Sequence, residues 1–208
     1  FSPDLCKLLA ASGCIAVTAG LEAASDRLLV KMKKGITVDQ TALVASAFKD
    51  AGIMIHAYLM YGFPSETIQE AVDALERVRQ LFATDLMQSA FWHLFTMTAH
   101  SPVGLDPGKF RVKKQTTAQG SFANNDIEHI DPGGANHPQY AFGLKKSLLN
   151  FMHGKCLDYP LQKWFDFKVP KTTVAPDYIV KSLEEVEYTA AKPSSKIIWT
   201  GVHPTIEY

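Results

Sequence analysis

Two points in the sequence place groups where a ligand could bind. Glu22 lies two residues after the glycine that ends a short apolar run over residues 15–19. Its carboxylate can accept hydrogen bonds from hydroxyl groups or from an ammonium group. A second apolar run, over residues 53–60, ends at a Gly-Phe-Pro turn that begins at Gly62. The residue types predict a polar binding group at the first point and a tight turn at the second.

The segments around these two points repeat one pattern. Each apolar run has the length of a buried strand, and a helix-like segment follows each turn, the second predicted to begin at Ser65. Strand, turn and helix in repetition predict an α/β fold with a parallel sheet and crossover helices. Ligands bind at the carboxyl ends of the strands in such folds, so we expect Glu22 and Gly62 on one rim. A third strand-like run over residues 87–95 extends the pattern to about half of an eight-fold barrel or a piece of an open sheet.

A further set of chemistry-bearing side chains lies at and after the third strand. It consists of four histidines and three carboxylates: His93, His100, His129, His137, Asp126, Glu128 and Asp131. Imidazole and carboxylate groups are ligands for zinc or iron. No pair has the His-x-x-x-His spacing of a helical metal site, so we predict core or surface positions and no metal. We expect His93 and His100 to line a substrate cavity instead.

Length and composition exclude several classes of protein. The 208 residues are enough for one large domain, or for one domain with an extension, and the 21 basic and 21 acidic residues balance. This balance gives no reason to expect a nucleic acid or a membrane surface as partner. Three cysteines without tight spacing argue against a disulfide framework and fit a cytoplasmic protein, with Cys6 and Cys14 expected in the core.

The amino-acid composition of the chain changes near residue 98. Residues 101–138 are dense in Gly, Pro, Asn and Asp, which is typical of a functional loop or a covering extension. Helices are predicted from His137 to about Gly154 and from Pro176 to Glu187, with a terminal strand over residues 196–200. We therefore divide the chain into a barrel-like part, residues 1–97, and a loop-rich and helical C-terminal extension, residues 98–208.

Three motifs resemble one known family. They read GLEAAS from Gly20, MKKGIT from Met32 and GFPSET from Gly62. In this order and separation they are similar to segments of the radical S-adenosylmethionine (radical SAM) superfamily, over about residues 3–95. The resemblance implies the second half of a partial (β/α)6 TIM-like barrel. It also implies an Fe–S oxidoreductase in which a [4Fe-4S] cluster cleaves SAM reductively and the resulting 5′-deoxyadenosyl radical abstracts hydrogen from a small-molecule substrate that the sequence does not identify.

One feature of the family is missing from the sequence. The Cys-x-x-x-Cys-x-x-Cys motif that holds the cluster does not occur, and Cys6, Cys14 and Cys156 cannot form it. The resemblance places residue 1 after the third strand of the barrel. We therefore expect a fragment whose upstream half, on the same polypeptide, carries the cluster. Alone, the fragment is expected to bind neither cofactor and to be inactive.

The resemblance also implies roles for six residues. Glu22 is similar to a polar residue that meets the SAM ribose or amino acid group, and Lys34 to a basic residue that reaches the SAM carboxylate. Ser25 is expected to assist through its hydroxyl. Met60 lies where main-chain groups contact the adenine, and Tyr58 where some members carry a carboxylate for the ribose. The turn at Gly62 shapes the adenine pocket; no catalytic residue follows from the resemblance.

Simpler interpretations remain open. Glu22 could only cap a helix, Lys34 could be a solvated charge, and the turn at Gly62 could be structural. The chain could also be a non-catalytic binding or regulatory module that kept the half-barrel, or a metal-dependent hydrolase that uses the late histidines. In every case an open half-barrel exposes a strand edge and apolar surface, so we expect the isolated chain to form homodimers or to adapt its core.

Overall fold

The computed structural model describes residues 1–115 and 125–184 of the chain. Within these ranges seven α-helices and five strands follow one another in the order α1 Pro3–Ala11, β1 Ala16–Glu22, α2 Asp26–Met32, α3 Val38–Asp50, β2 Met54–Tyr61, α4 Ile68–Ala83, β3 Ser89–Leu94, α5 Pro102–Leu105, β4 Lys113–Lys114, β5 His129–Ile130, α6 Ala141–Met152 and α7 Tyr178–Glu184. Two short 3₁₀ segments, His137–Tyr140 and Leu161–Trp164, flank α6. The predicted strand over residues 196–200 and the predicted helix end at Glu187 lie outside the described residues.

The central element is a parallel sheet in the order β1-β2-β3. All three strands were predicted from their apolar runs, and the α/β class is confirmed. Pairing is regular between β2 and β3, whereas the register of β1 shifts between Gly20 and Glu22. This irregularity lies at the carboxyl end of β1, where extended pairing gives way to the turn that leads into α2. β4 and β5 form a separate antiparallel pair.

The two faces of the sheet differ in burial. On β2, Ile55 and Leu59 are buried in the main core together with side chains of α3 and α4. The alternate residues of the strand point to the opposite face, where Tyr58 is 46% exposed and its ring lies 5.4 Å from that of His93 on β3. Phe91, also on this face, is 48% exposed. One side of the sheet is therefore covered by helices, and the other presents half-exposed aromatic rings.

The C-terminal extension packs on α4 and joins the main core. Tyr140 and Phe151, from the extension, belong to the same buried cluster as Leu75 of α4. Polar contacts hold the extension as well, because the carboxylate of Asp73 accepts a hydrogen bond from the backbone N–H of Thr173 at 2.8 Å and others from nearby hydroxyls. The predicted boundary between residues 97 and 98 thus runs through a shared core, and the division into two domains stays a prediction.

Helix ends follow local capping rules in two places. Thr37 and Gln40 form a reciprocal capping box at the start of α3, as the sequence predicts for Thr37. The start of α4 was predicted at Ser65 but is wrong by three residues, because Thr67 and Glu70 form the capping box and the helix begins at Ile68.

The cysteines and the helices bear on two further expectations. Cys6 is fully buried, whereas Cys14 is only partly buried against the core, and Cys156 is exposed. All three are free thiols. None of the helices in the described ranges is both long and apolar enough to cross a membrane.

Candidate functional site

A cavity of about 790 Å³ opens at the carboxyl ends of the three strands. One wall is formed by the strand ends, with Glu22, Met60 and residues 94–96. Residues 30–34, from the end of α2, form a second wall, and residues 101–110 form a third. The carboxyl ends of parallel strands are where ligands bind in α/β folds, so this cavity is the candidate binding site.

Three of the six predicted cofactor-binding residues, Glu22, Lys34 and Met60, line this cavity. The Nζ atom of Lys34 donates a hydrogen bond to Oε1 of Glu22 at 2.5 Å, which forms an ion pair at the rim. The side chain of Glu22 is 14% exposed and that of Lys34 is 41% exposed, so the carboxylate lies deeper than the ammonium group. The site therefore presents both charges at its mouth.

The backbone at Glu22 has an unusual conformation. Its φ angle is +56°, and that of Ala24, two residues on, is +43°. Non-glycine residues in this left-handed region cost roughly 1 kcal/mol or more each, and such strain is concentrated at functional sites. The turn after β1 thus places the Glu22 carboxylate at a conformational cost that the surrounding packing must offset.

The other three predicted residues lie away from the cavity lining. Ser25 is buried, and its hydroxyl donates to Oε1 of Glu70 at 3.1 Å, so it fastens the turn after β1 to α4. Tyr58 lies on the exposed sheet face. Gly62 begins the turn after β2 with φ +84°, and its backbone N–H donates to the carboxylate of Glu66. Ligand contacts for these three residues stay predictions.

Two basic residues of α2 hold the turn after β2 in place. Arg27 donates to both carboxylate oxygens of Glu70 at 2.7 Å and to the carbonyl oxygen of Ser65 at 2.9 Å. Although burial opposes it, these bonds and those from Thr67 lower the pKa of Glu70 to about 2. The Nζ atom of Lys31 donates to the Ser65 hydroxyl at 2.8 Å. The first and second βα turns are therefore joined by charge-assisted bonds, which the sequence analysis missed.

The C-terminal extension also forms hydrogen bonds with the turn after β2. Oδ2 of Asp131 accepts a hydrogen bond from the Ser65 N–H at 2.7 Å, and the Ala135 N–H donates to the Glu66 carbonyl at 3.3 Å. A Cβ atom at Gly62 would lie 2.8 Å from Cδ1 of Leu94 and 3.3 Å from Cβ of His137. The turn is thus closely packed as well as bonded.

A buried acid and a buried imidazole lie behind the turn. Oε2 of Glu66 is 3.7 Å from Nδ1 of His137, and both side chains are almost fully buried. Burial raises the pKa of Glu66 to about 8 and lowers the pKa of His137. Both groups are therefore neutral near pH 7, and the contact is a polar pair rather than an ion pair. Oε1 of Glu66 and both ring nitrogens of His137 have no hydrogen-bond partner within the described ranges.

The histidines expected to line a cavity lie elsewhere. His93 lies on the exposed face of β3, 4.5 Å from the ring of Phe91, and does not line the rim cavity, whereas the next residue, Leu94, does. His100 is exposed in the turn before α5. His137 is buried behind the turn at Gly62, so the late histidines do not converge. In residues 1–115 and 125–184 no group of three metal-binding side chains is present.

The third wall, residues 101–110, was not predicted as part of the site. Its local structure has a sequence signal, since Ser101 caps α5 with its hydroxyl 3.0 Å from the Gly104 N–H and Pro102 takes the first helical position. The signal predicts a helix start but not the surface on which the helix packs.

Comparison with known proteins gives a family match for one part of the chain. Residues 1–78 match the family model of the radical SAM superfamily. The match covers β1, β2 and the turn at Gly62, and it ends within α4. No curated protein matches the chain.

Proposed function

We propose that this chain, whose residues 1–78 match the family model of the radical SAM superfamily, is the SAM-positioning part of an oxidoreductase of that family. The observation that carries the proposal is the Glu22–Lys34 ion pair, which lies in the matched segment and at the mouth of the cavity.

The charges of the pair suit the amino acid group of SAM. This group carries a carboxylate and an ammonium, so Lys34 would bind the carboxylate and Glu22 the ammonium or a ribose hydroxyl. In the structure Lys34 donates a hydrogen bond to Glu22, and this contact holds both side chains at the rim. Met60, with Phe63 beside it, offers apolar surface for the adenine.

The iron–sulfur cluster does not fit this part of the protein. Cys6 is buried on α1, Cys14 lies in the loop before β1, and Cys156 is exposed beyond α6. In the described ranges these thiols do not lie together with other metal-binding side chains, so they do not form a site for the cluster. In the longer protein, SAM and a reduced cluster would together supply the radical chemistry, and this chain would supply only the groups that hold SAM. We propose that the cluster ligands lie on an upstream part of the same polypeptide and that the protein acts in the cytoplasm.

A second candidate is a binding or regulatory module that uses the cavity without redox chemistry. The scattered thiols favour it, because the described chain offers small-molecule binding groups but no ligand set for the cluster. The late-histidine hydrolase has no comparable support.

The test of the first proposal has two stages. The resemblance alone leads us to expect that the isolated chain binds neither cofactor, whereas its cavity leads us to propose that it still binds SAM. Calorimetry on this chain measures SAM affinity for the parent, for Lys34→Met and for the matched control Lys155→Met, which alters an exposed lysine beyond α6. We expect Lys34→Met to weaken binding about tenfold or more and the control to leave it unchanged.

The second stage uses the longer polypeptide encoded by the parent gene, purified without oxygen. Bound iron and reductant-dependent release of 5′-deoxyadenosine would support the oxidoreductase. SAM binding without turnover would favour the binding module. A cavity that binds no SAM in either protein would overturn both roles for the Glu22–Lys34 pair.

A further inference from the structure

One wall of the cavity, residues 101–110, lies outside the segment that matches the family model. Residues 101–110 are fixed by their own bonds, including that between the Phe110 N–H and the Pro107 carbonyl at 3.1 Å. Gly104 of this segment contacts the backbone of Thr98 so closely that a Cβ atom would lie 2.0 Å from the carbonyl oxygen. The wall is therefore preformed, and it needs no ligand to take its shape.

The interior behind this wall is apolar and aromatic. Phe63, at the turn after β2, packs edge-to-face against Phe95 at 5.2 Å and against Phe110 at 6.1 Å between ring centroids. Val103 and Met60 belong to the same buried or partly buried cluster. If the adenine of SAM takes the surface at Met60 and Phe63, the side chains of Phe95 and of residues 101–110 leave hydrocarbon surface for a second ligand.

The charged side chains of the lining have a cationic excess. They comprise four lysines and two carboxylates, and the lysines are Lys31, Lys33, Lys34 and Lys109. Lys34 is paired with Glu22, and Lys31 donates to the Ser65 hydroxyl and the Pro64 carbonyl.

Two of these ammonium groups remain without a partner. The other carboxylate of the lining, Asp106, accepts a hydrogen bond from the backbone N–H of Lys109 at 3.2 Å and forms no ion pair with its side chain. For the part of the chain that the structure describes, the Nζ atoms of Lys33 and Lys109 thus have no hydrogen-bond acceptor and no ion-pair partner. They come from opposite walls, Lys33 from the end of α2 and Lys109 from residues 101–110.

We propose that this cavity binds a substrate with an apolar body and an anionic group, a carboxylate or a phosphate, and that Lys33 and Lys109 hold the anion. The assignment to the substrate rests on the proposed function, in which Lys34 already takes the carboxylate of SAM. Ammonium groups bind such oxyanions by charge-assisted hydrogen bonds, and the exposed positions of Lys33 and Lys109 leave both groups accessible to a ligand. Because the two lysines lie on different walls, residues 101–110 select the ligand as well as enclose it.

Two fluorescent probes test the anion site on the chain as it exists. The probe 8-anilinonaphthalene-1-sulfonate has an aromatic body and an anionic group, and N-phenyl-1-naphthylamine has a similar body without charge. We expect Lys33→Gln with Lys109→Gln to weaken binding of the sulfonate about tenfold or more and to leave the neutral probe unchanged. The matched control, Lys155→Gln with Lys168→Gln, removes two exposed lysines away from the cavity and should change neither affinity.

A third variant locates the probes. Val103→Trp fills the apolar interior and should abolish binding of both probes. Sulfonate binding that survives Val103→Trp, or that is equal in the parent and the Lys33/Lys109 variant, would overturn the anion site. An equal loss of both probes in the lysine variant would also overturn it, because the lysines would then act through the shape of the cavity.

SAM affinity separates the two sources of the anion. If Lys33→Gln with Lys109→Gln lowers SAM affinity as much as sulfonate affinity, the anion is that of SAM and the assignment to a substrate is wrong. Unchanged SAM affinity with lost sulfonate binding supports the substrate. If the parent binds the sulfonate through the two lysines but binds no SAM, the proposed function fails while the anion site stands.

Discussion

The Nζ atom of Lys34 lies 2.5 Å from Oε1 of Glu22, across the gap between the end of α2 and the end of β1. The contact joins two residues that are each expected to bind a different group of one ligand. In the free protein each therefore serves as the counter-ion of the other, and ligand binding exchanges one internal ion pair for two external ones.

This exchange predicts that the pair matters for binding more than for stability. Glu22→Gln removes the ion pair, but Lys34 is 41% exposed, so solvent screens the attraction. We expect the free energy of unfolding in urea to change by about 1 kcal/mol or less, while SAM affinity falls about tenfold or more. A large loss of stability with unchanged SAM affinity would show that the pair is structural.

The close packing of the turn after β2 predicts that replacing Gly62 by alanine lowers the free energy of unfolding more than the same replacement at Gly13. Gly62→Ala adds a Cβ atom at φ +84°, within 2.8 Å of Leu94. Gly13→Ala is the control, because Gly13 has φ +90° and no atom within 4 Å of the added Cβ. Backbone strain of about 1 kcal/mol affects both variants, whereas crowding affects only Gly62→Ala, which we expect to lose about 1 kcal/mol more. Equal losses in chemical denaturation would mean that the packing at Gly62 adjusts freely.

Burial of Glu66 predicts that stability falls as the pH rises. Its pKa is about 8 in the folded protein against an ordinary value of 4.5, so the folded state holds a proton that the unfolded state has lost between these values. The stabilisation is complete below pH 4.5 and is lost as the pH rises to about 8. Among nearby charges, Glu70 raises this pKa and Arg27 lowers it.

Glu66→Gln should remove this dependence. The amide of the variant has no titrating proton, and its carbonyl oxygen keeps an acceptor for the Gly62 N–H. Between pH 7 and pH 8, the free energy of unfolding of the variant should rise relative to that of the parent by up to about 1.4 kcal/mol. This pH range avoids the contribution of His137. Burial lowers the pKa of His137 below its ordinary value of 6.5, so its protonation affects stability mainly at lower pH. Parallel curves of unfolding free energy against pH for the two proteins would contradict the assignment.

The half-exposed sheet face predicts self-association of the isolated chain. Tyr58 and Phe91 are paired across neighbouring strands and are 46% and 48% exposed. Light scattering after size exclusion should show a dimer for the parent and a shift to monomer for Phe91→Lys. Phe142→Lys is the control, because Phe142 is 71% exposed on α6 and its replacement is expected to leave the mass unchanged. A monomeric parent would refute the prediction.

Local signals in the sequence were sufficient for the three strands of the sheet and for the start of α3, whereas α4 was predicted to begin at Ser65, α6 at His137 and α7 at Pro176 but they begin at Ile68, Ala141 and Tyr178. The apolar runs predicted the three parallel strands because each strand has one face buried under helices. The ends of β1 and β2 predicted the rim, since parallel strands bring their carboxyl ends together. Glu22, Lys34 and Met60 meet at one cavity for this reason.

The errors lie where distant residues decide the local conformation. Ser65 looks like a helix start but has φ +72°, and its N–H is bonded to Asp131, 66 residues away. The hydroxyl of Ser25 donates to Glu70, 45 residues away, a contact that local sequence does not reveal, and the ligand contact predicted for Ser25 stays a prediction. Sequence periodicity reports which face of an element is apolar; it does not report which side chain from another element reaches a given backbone group. The packing of residues 101–110 against the rim was missed for the same reason.

The walls of the cavity come from two parts of the chain. Glu22, Lys34 and Met60 fall inside the family match, which ends at residue 78, whereas Lys109 and Phe110 fall outside it. Substitutions in residues 101–110 can therefore alter one wall while the opposite wall keeps its groups. Ligand preference in this protein is free to diverge by exchange of a short surface segment, and the inherited half of the pocket need not change with it.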